Sequence, residues 1–85
     1  MARNDSSRPV TVQLYDGSDL VTFAEVPPDD VYGFAIEGCQ GTEIRVLDAV
    51  GERLAVVQRA ACQDKQIVIS ADLQVRYENY RRPET

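Results

Sequence analysis

Histidine and tryptophan are absent from this 85-residue chain, and methionine occurs once. Without His, the usual general base near neutral pH is missing, and with it most nucleophile–base pairs. The five glycines are scattered through turns and one strand, so there is no Gly-rich loop to cradle phosphates. The two cysteines, Cys39 and Cys62, have neither a His nor a visible helix N-terminus to lower a thiol pKa. Adjacent Asp29 and Asp30 diverge in an extended loop and make no catalytic pair. These absences argue against an enzyme, and no cofactor is expected.

Metal chemistry is equally poorly supplied. Two thiols without a His fall short of the four ligands of a structural zinc site. Asp16, Asp19, Asp29, Asp30 and Asp48 lie in turns and would suit calcium, but turn formation explains the same residues without a metal. Long apolar runs are also missing: nothing approaches the roughly 18 to 20 residues of a membrane span. The opening Met1-Ala2-Arg3-Asn4-Asp5-Ser6-Ser7-Arg8-Pro9 is polar and lacks the apolar stretch of a secretory signal. Synthesis in the cytoplasm without a signal peptide is the expectation.

Charge is present but unevenly placed. The net charge is −5. From Asp16 to Glu52, nine carboxylates face a single cation, Arg45. The ends are basic, with Arg3 and Arg8 in front and Arg76, Arg81 and Arg82 behind. An acidic middle repels nucleic acid and anionic membranes, so neither is expected as a partner. Basic ends on one copy would instead complement the acidic middle of another.

Alternation is the main structural signal. From Gln66 to Glu78 the odd positions are Ile67, Ile69, Ala71, Leu73, Val75 and Tyr77, while the even ones are polar except Val68. A period of two belongs to a half-buried strand. Upstream, Val10 to Tyr15, Leu20 to Val26, Val31 to Glu37, Thr42 to Leu47 and about Arg53 to Ala61 read as further strands. Asp16-Gly17 predicts a two-residue type I′ hairpin turn, setting Val12 opposite Val21 and Val10 opposite Phe23. Pro27-Pro28 ends the second strand. In the third strand Tyr32, Phe34 and Ile36 share one face. Asp48-Ala49-Val50-Gly51 predicts a type I turn closed by Gly.

About six short strands at nearly regular spacing predict an all-β chain: a small antiparallel β-sandwich or barrel, immunoglobulin-like in general architecture. The Val46-Leu47-Asp48-x-x-Gly51 hairpin resembles one frequent in immunoglobulin-like bacterial and viral modules, over about a dozen residues, too few to identify a family. The expected organisation is a polar N-terminal arm at 1–9, a β domain at 10–78 and a basic C-terminal tail at 79–85. Cys39 and Cys62 each precede a core Ile by five residues. In a meander their strands run the same way, bringing both to one end of the sheet. A disulfide closing that loop and two reduced thiols are the alternatives.

Thirteen residues of strand from Gln66 to Glu78 would span roughly 43 Å, twice an ordinary strand. Either the strand bends near Ser70-Ala71-Asp72 and serves two sheets, or Leu73, Val75 and Tyr77 project toward a partner. The candidate partner contacts are therefore Arg3, Arg8, Leu73, Val75, Tyr77, Tyr80, Arg81 and Arg82. Tyr and Arg are favoured interface anchors. Asp16, Asp19, Asp29 and Asp30 form the candidate acidic surface. The functional expectation is a non-enzymatic structural subunit of a homo-oligomeric assembly, such as a capsid decoration (cement) or tail protein of a virion. The alternative is a small acidic regulatory or inhibitory protein occupying a basic site on a partner. A third reading, a ligand- or glycan-binding sandwich, would use Tyr15, Tyr32 and Phe34.

Overall fold

The structure, a computed structural model, describes residues 1–80. Ten strands form: β1 (Ala2–Asn4), β2 (Val10–Asp16), β3 (Asp19–Val26), β4 (Asp30–Tyr32), β5 (Cys39–Gln40), β6 (Glu43–Leu47), β7 (Arg53–Val57), β8 (Ala61–Cys62), β9 (Lys65–Ile69) and β10 (Val75–Asn79). Two four-stranded sheets, β3-β2-β6-β7 and β10-β9-β1-β4, stack as a small β-sandwich, and β5 pairs with β8 as a separate ribbon. Every pairing is antiparallel except β1 with β9, which is parallel. The core lies between the sheets, where Val10, Val12, Leu14, Val26, Ile44 and Val46 meet Ala2, Ile67 and Ile69. These are the inward residues of period-two strands, as one buried face requires.

The first correction concerns segment 1–9, which is not a free polar arm. Residues 2–4 form an inner strand, and both Ala2 and Asn4 are fully buried. A buried amide must be hydrogen-bonded. Asn4 Nδ2 donates to the carbonyls of Arg8 (2.7 Å), Val26 (3.0 Å) and Pro27 (3.2 Å). Its Oδ1 accepts from Ser6 N (3.0 Å) and Ser6 Oγ (2.6 Å). The polar character that suggests a solvated arm thus stitches the crossing from one sheet to the other.

The β2–β3 hairpin forms with a different register. Asp16 pairs with Asp19, so Gly17 and Ser18 are the turn, and a bulge between Leu14 and Tyr15 shifts the ladder again. Only Gly17 of the two has positive φ, +62°, the sign pattern of a type II′ turn rather than type I′. Val12 therefore opposes Ala24, and Val10 opposes Val26. Val21 and Phe23, expected inside, are turned out. The third strand is also shorter than expected. β4 stops at Tyr32, and a tight turn in which Ile36 N donates to Phe34 O (3.0 Å) tucks Phe34 and Ile36 against the core.

The single long strand is in fact a hairpin. β9 and β10 pair from Ile69↔Val75 to Lys65↔Asn79 across a turn at 70–74. Ser70 N donates to Gln74 O (2.9 Å), and Leu73 N to Ser70 O (2.9 Å). The β6–β7 turn has the same plan: Asp48 N donates to Glu52 O (2.8 Å), and Gly51 N to Asp48 O (3.1 Å). Both turns need a left-handed residue in fourth place, filled by Gly51 at φ +87° and by Leu73 at +64°. Leu73, Val75 and Tyr77 consequently pack against the core of their own chain rather than projecting from it.

Candidate functional site

The largest apolar exposure falls on one margin of the sandwich. β3 ends its sheet and β4 ends the other, and the chain passes from one to the other through residues 27–29. Leu20, Val21 and Phe23 on β3 and Val31 and Tyr32 on β4 are all exposed, Phe23 by 58%. The remaining large exposed hydrophobic residue, Val50, sits apart in the β6–β7 turn. Scattered apolar residues on a surface are ordinary, whereas a contiguous group on an unpaired strand marks an interaction edge. Among the described residues, the outer side of β3 has no strand partner.

Carboxylates flank this strip at both ends. Asp16 and Asp19 stand exposed at the β2–β3 turn; Glu25, Asp29 and Asp30 stand exposed where β3 leads into β4. Between residues 9 and 44 there is no Lys or Arg. The two carboxylate groups are separated by the length of β3, about 20 Å, so they do not converge on an ion. Among the described residues no cluster of three metal-ligating side chains occurs. Asp29 adopts φ +56°, a left-handed conformation that Asp tolerates. Asp30 Oδ1 accepts from Val31 N (2.8 Å).

The candidate partner residues do not gather at one place. Arg3 lies on β1, where its Nε donates to Asp5 Oδ1 (2.9 Å), and this bond holds the guanidinium pKa up. Arg8 is exposed in the crossing that follows. Tyr77 is anchored internally: its hydroxyl donates to Ala60 O (2.6 Å) and accepts from Cys62 N (3.3 Å). Burial pushes its phenol pKa up. Tyr80 N donates to Asp64 O (2.8 Å), while Arg81 and Arg82 lie outside the described residues.

Cys39 and Cys62 are directly opposite on the β5–β8 ribbon and are joined as a disulfide, with Cα atoms 4.0 Å apart. β5 leads into β6 of one sheet and β8 into β9 of the other, so the bond ties the two crossings together. Nearby, Gly41 is held at φ +76°, and a Cβ there would lie 2.7 Å from Tyr15 O. Thr42 completes the joint: its N donates to Tyr15 O (2.8 Å), and its Oγ1 accepts from Gly17 N (2.9 Å).

The aromatics proposed for a ligand platform are otherwise engaged. Tyr15 carries the Arg45 guanidinium 4.0 Å above its ring, and Tyr32 meets Phe34 edge-on with centroids 4.9 Å apart. Arg45 Nε donates to Glu43 Oε2 as well, and this bond is the main reason its pKa is held up. The cavity between the sheets, lined by Leu14, Phe34, Ile36, Ile44, Ile67 and Tyr77 among others, measures about 20 Å³, room for one water and not for a ligand. Among the described residues, a larger concavity beside the disulfide brings together two charged groups, the Met1 amine and Asp64. None of the described residues forms a helix long and apolar enough to cross a membrane.

Comparison of the chain with protein-family models, with curated proteins and with solved structures finds no match. The open β3–β4 edge was not among the candidate contacts read from sequence. The overlooked signal is Leu20-Val21-x-Phe23-Ala24, whose apolar residues fall on both faces of any strand, so one face had to be left uncovered.

Proposed function

We propose that this protein is a non-enzymatic structural subunit of a homo-oligomeric assembly, docking through the β3–β4 edge. The observation that carries this reading is the exposure of Leu20, Val21 and Phe23 on β3, an edge strand with no outer partner among the described residues. An open edge of this kind invites strand addition, with main-chain hydrogen bonds for affinity and the side-chain strip for specificity. A virion component, such as a capsid decoration or tail protein, is the assembly type favoured, by analogy with what small β-sandwiches commonly build. Sedimentation velocity over a dilution series tests the reading. The wild-type chain should associate as concentration rises, and Phe23→Ser should be monomeric at an unchanged melting temperature. A wild-type chain that stays monomeric at its highest soluble concentration contradicts it.

The acidic-binder alternative is favoured by one specific observation, the exposed carboxylates flanking the strip with no cation between residues 9 and 44. A basic partner protein would be drawn to this edge. Reversing Asp16, Asp19, Asp29 and Asp30 to Lys should then abolish capture by an immobilised basic protein. Under this alternative the chain alone does not associate, which separates it from the first reading.

A further inference from the structure

We infer that copies of this chain add head to tail, the β3 edge of one joining the β7 edge of the next so that the β3-β2-β6-β7 sheet continues from copy to copy. The inference rests on the assembly reading above and specifies its geometry. Three observations carry it. Both strands are ends of the same sheet, and among the described residues neither has an outer partner. β10 of the other sheet comes near β7 without pairing to it. Successive strands of this sheet are all antiparallel, so β3 and β7 run in opposite directions. A neighbour placed by simple translation therefore sets its β7 antiparallel to β3, and the sheet pattern is unbroken.

Charge decides between this arrangement and a symmetric one. A two-fold β3–β3 contact would place the Asp19 end of each strand against the Glu25 end of the other, acid on acid. Like charges brought together across an interface are strongly disfavoured. β7 has the opposite character: Arg53 begins it, and Arg59 follows just past its end, both exposed. The antiparallel arrangement brings Arg53 to the Glu25 end of β3 and Arg59 to the Asp19 end. The step from Asp19 to Glu25 equals that from Arg53 to Arg59 in residues. Opposing charges are few on the β7 margin: Glu52 precedes Arg53, and on β10 Arg76 and Glu78 pair with each other at 3.6 Å. A head-to-tail contact leaves one edge free at each end, so it builds a ring where the rotation closes and a filament where it does not.

Charge reversal tests the geometry on the intact chain, and all four residues are exposed, so folding is spared. D19K/E25K and R53E/R59E, each alone, should associate about tenfold more weakly than wild type, from the loss of two ion pairs and their replacement by repulsion. Mixing the two variants in equal amounts should restore association. So should the quadruple variant D19K/E25K/R53E/R59E alone, in which both partners are reversed. If R53E/R59E associates like wild type, β7 is not in the contact and the inference is overturned with the assembly reading intact. A wild-type chain that is monomeric throughout overturns both.

Discussion

β3 and β10 are both edge strands, each closing a hairpin at one end of a four-stranded sheet, yet they treat their apolar residues in opposite ways. On β10, Val75 and Tyr77 pack against the core, and the Tyr77 hydroxyl is bonded at both its donor and acceptor sides. On β3, Ala24 and Val26 are buried, while Leu20, Val21 and Phe23 face water. An edge in this fold can therefore be finished inside one chain, as β10 is. The exposure on β3 is not a general consequence of lying at a margin. It reflects a strand with more apolar residues than its own sandwich has room to cover, and that surplus is the reason for assigning the interaction to this edge.

Removing the disulfide should have the largest effect and should separate the two edges most clearly. In the chain-entropy model the Cys39–Cys62 bond contributes about 3 kcal/mol, and Cys39→Ser/Cys62→Ser should lose that amount in urea unfolding. The loss should loosen β10 first, because Tyr77 binds the backbone on either side of Cys62. Next, Tyr77→Ala should cost about 2–3 kcal/mol through lost packing and two stranded hydrogen-bond partners, whereas Phe23→Ala should change stability by less than about 0.5 kcal/mol. Equal costs at the two positions would erase the distinction between a finished edge and an open one. Gly41→Ala sharpens it from the other side. The added methyl meets the Tyr15 carbonyl at a residue held in the left-handed region, and about 2 kcal/mol should be lost from the joint that anchors β2, the inner partner of β3.

Much of the sandwich was legible in the sequence because period-two alternation is local. The β2, β6 and β9 core residues follow from it, and the Asp48–Gly51 turn from the Asp and Gly at its two ends. The β9–β10 hairpin was not legible, for a reason of parity. Five residues separate Ile69 from Val75, its partner across the ladder, so odd positions on both arms face the core and the alternation runs through the turn unbroken. At the equivalent β6–β7 turn, Gly51 marks the left-handed position, whereas Leu73 fills it in the β9–β10 turn and gives no sign of one. β1 was hidden because Asn4 reads as a loop residue until its five hydrogen bonds are seen. The open edge was missed because nothing in the sequence marks the bulge between Leu14 and Tyr15. Moving the turn to Gly17-Ser18 shifts the register by two and keeps its parity; the bulge adds one more residue and exchanges the buried and exposed faces of β3.

Amide hydrogen exchange measured at low and high protein concentration tests the central claim most directly, because it reads both edges in one experiment. Assembly through β3 predicts that Leu20 to Phe23 amides slow as concentration rises, while β10 amides from Val75 to Asn79 exchange at the same rate throughout. Exchange in β3 that does not depend on concentration would contradict the account.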